Sequence, residues 1–254
     1  SAFGAEQTYF LVNGSTSGVI AAILATCQPG EKIILPRTVH QSAISGVILA
    51  GALPIFLAPE YDAERDILHC PTPDAIAAAL AQHPDASAVL IVSPTYYGAC
   101  GDVATIAQLA HQHNLPLLVD EAHGAHFAFH PDLPTPALVA GADVAVQSIH
   151  KTLTAMTQAA MLHRQGQRVS DDRLRNALML VQSTSPNYLL LASLDAARQQ
   201  MATQGFARMR HAIDLADSAR SRLSHIPGLA VLNPDQAGSP GFVALDRTRL
   251  TVTV

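Results

Sequence analysis

The segment Leu115-Pro-Leu-Leu-Val-Asp-Glu-Ala-His-Gly124 sets the expected fold of the chain. Its apolar run, Leu115–Val119, is continuous rather than alternating, which is typical of a strand buried on both faces of a parallel sheet. Asp120 follows directly, at the carboxyl end of the strand, where α/β proteins form their ligand sites. Similar short apolar runs alternate with helical patterns along most of the chain, which predicts a doubly wound α/β layer.

The elements are predicted from apolar periodicity and from bounding Gly, Pro, Asn and Asp residues. The predicted strands are Thr8–Val12, Lys32–Leu35, Leu53–Leu57, Ala88–Val92, Leu115–Val119, Ala142–Gln147 and Gln158–His163. The predicted helices are Ser17–Thr26, Gln41–Ala50, Pro73–Gln82, Asp102–His113, Thr135–Val139, Asp171–Leu180 and Tyr188–Ser224. Breaks are expected near Ser185-Pro186, between the last two helices, and near Gly205, inside the last one. The expected fold is α/β, with three α/β/α layers around a mostly parallel sheet, over residues 1–225.

From Ile226 onward the chain is rich in Pro and Gly and contains only short strand-like runs. We interpret residues 226–254 as the beginning of a small, truncated α+β domain. The chain starts almost on a strand and stops in a strand-like run, so both ends are expected to be cut from a longer protein.

The composition excludes several classes of protein. Hydrophobic residues make up 49% and charged residues 14%, yet no apolar run approaches the ~20 residues of a membrane span. The net charge is -5 and the chain lacks a dense Lys/Arg stripe, so a nucleic-acid partner is not expected. The three cysteines are widely and irregularly spaced, which indicates structural thiols and a cytoplasmic location rather than a disulfide framework or a zinc site.

Four places at predicted strand ends carry residues suited to chemistry. Asn13-Gly-Ser-Thr-Ser-Gly18 opens a helix with small and hydroxyl residues, which suits anion binding, although an ordinary helix N-cap has the same pattern. Asp120 can hold a ring nitrogen protonated, or can simply cap a loop. His40 can stack on a flat ring, or can be one of the many plain histidines among the 12 in the chain.

Lys151 follows the strand Ala142–Gln147 in the run Ser148-Ile149-His150-Lys151. A lysine in a mostly apolar pocket becomes a nucleophile toward an aldehyde, whereas a lone lysine at a strand end is normally only solvated. Lys32 and Lys151 are the only lysines in the chain. Because a solubilising role would not leave a single lysine at this place, the scarcity favours a chemical role.

Together these residues resemble the Orn/Lys/Arg decarboxylases, pyridoxal phosphate enzymes of the aspartate-aminotransferase-like fold type I. The resemblance extends over nearly the whole chain, as the major cofactor domain. It is carried by Asn13–Gly18, Arg37–Ser42, Asp120–Gly124, Gln147–Leu153 with Thr157-Gln158, and Ser183–Tyr188. Within fold type I, the Ser-x-His-Lys element with Gln seven positions after the lysine is specific for this family.

The resemblance implies a role for each residue. Lys151 would hold pyridoxal 5'-phosphate as a Schiff base, Asp120 would pair with the pyridine nitrogen, and His40 would stack on the ring. Ser15, Thr16, Ser17 and Ser148 would bind the phosphate, and His123 and His150 would line the cofactor. The family forms its site at a subunit interface, so a homodimer or a larger homo-oligomer is expected.

The activity that the resemblance implies is decarboxylation of lysine, arginine or ornithine. The same lysine, ring partner and phosphate cradle also serve aminotransferases and aldolases, and a truncated relative could be a non-catalytic regulator.

Two other motifs are rejected. Asp120-Glu-Ala-His123 also spells a helicase motif, but the chain contains no Gly-Lys pair for a phosphate-binding loop. The histidines at 123, 126 and 130 lack the Glu-x-x-His spacing of a metal site, so no metal is expected.

Overall fold

The computed structural model describes residues 2–254. The strands are β1 (Gln7–Leu11), β2 (Lys32–Pro36), β3 (Leu53–Leu57), β4 (Tyr61–Asp62), β5 (Ile67–Leu68), β6 (Ala86–Val92), β7 (Ala99–Cys100), β8 (Leu117–Asp120), β9 (Val144–Gln147), β10 (Ala160–Arg164), β11 (Ala230–Val231), β12 (Ala244–Leu245) and β13 (Val252–Thr253). The helices are α1 (Gly14–Thr26), α2 (Gln41–Ala50), α3 (Pro73–Gln82), α4 (Val103–Gln112), α5 (Ile149–Thr152), α6 (Asp171–Val181) and α7 (Tyr188–Leu223).

A seven-stranded sheet forms the centre of the molecule, in the order β1-β10-β9-β8-β6-β2-β3. The five strands from β9 to β3 are parallel, and β10 runs antiparallel to both β9 and β1. This arrangement confirms the predicted α/β class with a mostly parallel sheet.

Neighbouring residues of a central strand face opposite layers of helices. In β2, Ile33 and Leu35 pack in the core with α1, α2 and α6, whereas Ile34 packs in the core with α3 and α4. In β8, Leu118 faces the first of these cores and Leu117 faces the second. Burial on both faces explains why the strands read as continuous apolar runs.

Two predicted helical features are wrong. Residues 135 and 136 are irregular, and residues 137–141 form a turn that ends at Gly141, which has φ +106°. Helix α7 runs without a break through Gly205. A Cβ at Gly205 would lie 2.9 Å from Cδ1 of Phe129, so glycine allows close packing at this position rather than ending the helix.

The segment after residue 226 makes one strand pair within itself and one with an earlier part of the chain. Strand β11 pairs with β13, and β12 pairs with β7 in the loop that follows β6. The β12–β7 pair brings residues 246–249 to the carboxyl edge of the main sheet, and the domain boundary at residue 226 stays a prediction.

Among residues 2–254, no helix is both long enough and apolar enough to cross a bilayer.

Candidate active site

The strand register gathers the predicted site residues at one edge of the sheet. Val92, Asp120 and Val146 lie in one row across β6, β8 and β9, so Asp120 and the residue after β9, Ser148, share the carboxyl edge. Strand β1 runs in the same direction as β9, because both are antiparallel to β10. The start of α1 therefore reaches the same edge.

The amino end of α1 forms a small polar cradle at this edge. Gly14 has φ +74°, and Asn13, the N-cap residue, makes no side-chain hydrogen bond to the helix. The fully buried Ser148 donates its hydroxyl to Oγ of Ser15 at 2.8 Å. Free helix N–H groups, the positive end of the helix dipole and two facing hydroxyls suit a bound phosphate.

Thr16 and Ser17 occupy different positions in the first turn of α1. The side chain of Thr16 is exposed, as a phosphate ligand requires. Ser17 is buried, and its hydroxyl donates to the carbonyl of Gly14 at 2.9 Å. The phosphate contact predicted for Ser17 stays a prediction, because its donor is already used inside the helix.

Gln158 holds the loop before α1 in place. Its side-chain Nε2 donates to the backbone carbonyl of Val12 at 2.6 Å, and its backbone carbonyl accepts from the N–H of Gly14 at 2.9 Å. Gln158 has φ +83°, a conformation that side chains other than glycine rarely adopt. The conformation indicates that the surrounding contacts hold this residue firmly, which gives a physical reason for the glutamine seven positions after Lys151.

We expect Gln158→Ala to weaken the phosphate cradle because it leaves the carbonyl of Val12 without its donor. The free energy of unfolding should fall by about 1–2 kcal/mol, and the affinity for pyridoxal phosphate should fall about tenfold. The matched control is Gln165→Ala, since the side-chain amide of Gln165 likewise donates to backbone carbonyls, those of Leu138 and Ala142, but at the amino end of β9. Equal losses of affinity in the two variants would contradict the assignment.

Lys151 lies in the short helix α5 with an exposed side chain. Its Nζ is 3.3 Å from Nε2 of His123, in the loop after β8. Burial, together with the charges of Lys151 and Arg249, lowers the pKa of His123 to about 4. His123 is therefore a neutral imidazole near neutral pH, directly beside the lysine amine.

Asp120 is the buried anion of the site. Its side chain accepts a hydrogen bond from the N–H of Ala122 at 3.2 Å, and it makes no ion pair within the described residues 2–254. Burial raises its pKa, while the Ala122 N–H and the charges of Lys151 and His40 oppose that rise. A buried carboxylate without a cation next to it fits a protonated ring nitrogen.

The two remaining predicted residues lie on either side of this edge. His40 is exposed at the start of α2, where its Nδ1 accepts from the backbone N–H of Ser42 at 3.1 Å. His150 donates from Nδ1 to the carbonyl of Ala159 at 2.9 Å. The ring stacking of His40 and the cofactor contact of His150 stay predictions, and both side chains lie next to the edge that the prediction requires.

A chain of hydrogen bonds runs from the exposed Thr8 into the core behind Asp120. Thr8 donates to Nδ1 of His163, and Nε2 of His163 donates to Oε1 of Gln147 at 3.0 Å. Gln147 then donates from Nε2 to Glu121 at 2.7 Å. Burial raises the pKa of Glu121 to about 7 and lowers the pKa of His163 to about 3. This chain fixes the ends of β8 and β9, from which Asp120 and Lys151 project.

The buried His163 predicts an acid-sensitive fold. The unfolded chain binds a proton on this side chain near pH 6.5, whereas the folded chain resists protonation until about pH 3. The contribution of His163 to stability is therefore complete above about pH 6.5 and is lost as the pH falls toward about 3, by about 5 kcal/mol.

We expect His163→Gln to flatten the acid side of the stability curve, measured by urea unfolding between pH 7 and pH 4. Glu121 is present in both proteins, so the difference between the curves isolates His163. The control is His113→Gln, at an exposed position, which should leave the slope unchanged. Identical slopes for wild type and His163→Gln would show that the site is not buried as described.

Sequence reasoning missed Arg249. Its Nη2 donates to Nδ1 of His123 at 3.0 Å, and its guanidinium carbon lies 5.6 Å from the ring centroid of Tyr96. Nearby, Asp246 accepts from Nε2 of the buried His126 at 3.1 Å. Arg249 is 98 positions from Lys151 and lies in the segment assigned to a second domain, so no spacing pattern linked the two residues.

The three histidines of residues 120–130 face different partners. His123 contacts Lys151 and Arg249, His126 pairs with Asp246, and His130 stacks on Phe206 with ring centroids 4.6 Å apart. Each ring therefore has a separate role in packing or in the site.

Comparisons with known proteins agree with this geometry. The family model described as Orn/Lys/Arg decarboxylase, major domain, matches residues 1–249. An arginine decarboxylase of Bacillus subtilis is 42% identical over 253 residues, which cover 100% of this chain and 52% of that protein. A lysine decarboxylase of Pseudomonas aeruginosa is 30% identical over 246 residues, which cover 88% of this chain and 33% of that protein.

Among solved structures, lysine decarboxylase A from Pseudomonas aeruginosa superimposes with a TM-score of 0.83 at 25% identity, over 99% of this chain and 41% of that one. The chain thus spans about half the length of the curated arginine decarboxylases that it matches. The match along residues 1–249 includes every predicted site residue. The chain therefore belongs to the Orn/Lys/Arg decarboxylase family.

Proposed function

We propose that the chain is the major domain of a pyridoxal phosphate-dependent carboxy-lyase that acts on a basic amino acid. The observation that carries this proposal is that one sheet edge holds Lys151, the buried Asp120 and the uncapped start of α1 with Ser15 and Ser148. An amine, a buried carboxylate and an anion cradle are the three groups that the aldehyde, the ring nitrogen and the phosphate of this cofactor require.

The residues of the chain divide the work in this proposal. Lys151 would supply the amine that holds the cofactor. Asp120 holds the ring nitrogen protonated. The bound cofactor supplies an electron sink for the bond that breaks at Cα. The α1 cradle would hold the phosphate.

A cavity of about 400 Å³ adjoins Lys151 and offers space for substrate. Its lining includes Thr152, Met209, Asp246 and Arg249. The choice of decarboxylation rests on family membership, and arginine is the first candidate substrate because the relatives at 39–42% identity are arginine decarboxylases. Lysine and ornithine remain in the proposed class.

The test of this function is product analysis with the intact protein. Substrate labelled at the carboxyl carbon should release labelled CO₂ and leave the corresponding amine, with arginine compared against lysine and ornithine. Formation of a keto acid without CO₂ would contradict decarboxylation. That outcome would favour an aminotransferase, for which Arg249 would be an available partner for a substrate carboxylate.

We also propose that the protein is a homodimer or a larger homo-oligomer with the site near the interface. Four large apolar side chains are exposed on either side of the connection between α6 and α7: Met179, Leu180, Tyr188 and Leu189. The same connection reaches the α1 cradle, because the N–H of Ser183 donates to Oδ1 of Asn13 at 3.1 Å. Light scattering should give at least a dimer, and Leu180→Glu should shift the protein toward monomer. A monomeric wild type would overturn this proposal.

A further inference from the structure

Arg249 approaches the site from the segment that follows β12. Its position is fixed by the turn at Gly98, whose carbonyl accepts from the N–H of Asp246 at 2.9 Å. A Cβ at Gly98 would lie 3.0 Å from the side chain of Arg249, and the φ of Gly98 is +87°. The guanidinium is thereby held against Tyr96 and Nδ1 of His123.

The chemistry of arginine decides the tautomer of His123. A guanidinium donates hydrogen bonds and cannot accept them. Because its Nη2 is 3.0 Å from Nδ1 of His123, that ring nitrogen must be the acceptor. A neutral imidazole carries one proton, so the proton lies on Nε2. The lowered pKa of His123, about 4, agrees with a neutral ring near neutral pH.

We propose that Arg249 is a positioning residue that places the imidazole proton of His123 on Nε2, facing Nζ of Lys151, and thereby favours the free amine of that lysine. Nζ and Nε2 are 3.3 Å apart. An ammonium at Lys151 would meet an N–H donor there, whereas a free amine accepts from it. The free amine is the form of lysine that attacks a carbonyl carbon.

The other charged groups near Lys151 fit this arrangement. Asp120 acts on it across the site from β8, and His40, at the start of α2, acts on Asp120 and on His123. Asp246 is the other carboxylate in the adjoining cavity, and its Oδ1 already accepts from His126 and from the hydroxyl and N–H of Thr248. Among the described residues, His123 is the side chain that lies within hydrogen-bond distance of Nζ.

The inference deepens the proposed function and rests on it only for the role of Lys151. A free amine speeds the reaction of Lys151 with the aldehyde of the cofactor, both at first loading and after each product leaves. The amine itself can be probed without cofactor and without turnover. A failure of the proposed function therefore leaves the result of this test readable.

The experiment is trace acetylation of the intact, cofactor-free protein at pH 8, followed by mass spectrometry of the peptides that contain Lys151 and Lys32. Lys32 is an internal reference, since it pairs with Asp85 at the opposite edge of the sheet. Arg249→Met should lower the ratio of Lys151 to Lys32 labelling about fivefold, as the loss of one hydrogen bond implies, and Arg249→Lys should restore most of it.

A double variant separates the effect of the His123 tautomer on Lys151 labelling from the effect of the Arg249 charge. His123→Phe keeps a ring but has no N–H, so adding Arg249→Met to it should change the labelling ratio less than about twofold. Arg247→Met, which removes a partner of Asp132 and Asp217 outside the site, should leave the ratio unchanged. The proposal is overturned if Arg249→Met leaves the ratio unchanged, or if its effect persists in full beside His123→Phe.

Discussion

Replacing Lys151 with alanine is expected to lower CO₂ release by more than about 1,000-fold, because the variant lacks the amine that, in the proposed function, binds the cofactor covalently. The visible absorbance of bound pyridoxal phosphate at its lysine linkage should also disappear. The free energy of unfolding should change little, since the side chain of Lys151 is exposed. The measurements are product release, absorbance after addition of cofactor, and urea unfolding.

The chain offers one matched control for this result. Lys32 is the only other lysine, and it pairs with Asp85 at 2.8 Å where β2 begins, at the opposite edge of the sheet. Lys32→Ala should keep activity within about twofold of wild type, as is usual for loss of a surface ion pair. Similar losses of activity in the two variants would mean that lysine removal acts through the fold rather than through the site.

The second large effect is expected for Asp120→Asn. The amide keeps the shape of the side chain and can still accept from the N–H of Ala122, but it lacks the charge that holds a ring nitrogen protonated. We expect activity to fall by about 100- to 1,000-fold, the usual effect of removing a preorganised electrostatic group. Cofactor should still bind at Lys151, so its absorbance band remains.

The control for Asp120 is another buried carboxylate of the same sheet. Asp143, just before β9, accepts from His111 at 2.9 Å and pairs with Arg168 at 3.3 Å, at the amino edge. Asp143→Asn should lower stability but leave the activity of the folded fraction unchanged. If Asp120→Asn retained wild-type turnover, the pairing with the ring nitrogen would be refuted.

The central sheet could be predicted from sequence because its strands are buried on both faces. Continuous runs such as Leu115–Val119 and Ala88–Val92 leave little ambiguity about fold class. The strand ends then placed Asp120 and Lys151 at one edge, and the structure brings them together there. The position of the site therefore followed from sheet geometry and from the scarcity of lysine.

Features that depend on contacts distant in sequence could not be predicted. A glycine inside α7 looked like a break because local patterns cannot show that Phe129 packs against Gly205. Arg249 reaches His123 only because β12 pairs with β7, and strands of two residues give no periodic signal. The contact of Arg249 with His123, which lies beside Lys151, could not be predicted for the same reason.

The hydrogen-bonded chain behind the site was also missed. Thr8, His163, Gln147 and Glu121 lie on four separate segments, and each looks like an ordinary strand or loop residue in the sequence. Only the register of β1, β10 and β9 shows that they meet. Their hydrogen bonds explain why His163, Gln147 and Glu121 are tolerated at buried positions.

The central claim is that Lys151 binds the cofactor covalently, and peptide mapping tests it most directly. The intact protein would be loaded with pyridoxal phosphate, reduced with borohydride, digested and analysed by mass spectrometry. We predict one reduced cofactor per chain, attached at Lys151, and none at Lys32. Cofactor attached elsewhere, or no covalent attachment to a protein that binds pyridoxal phosphate, would contradict the account.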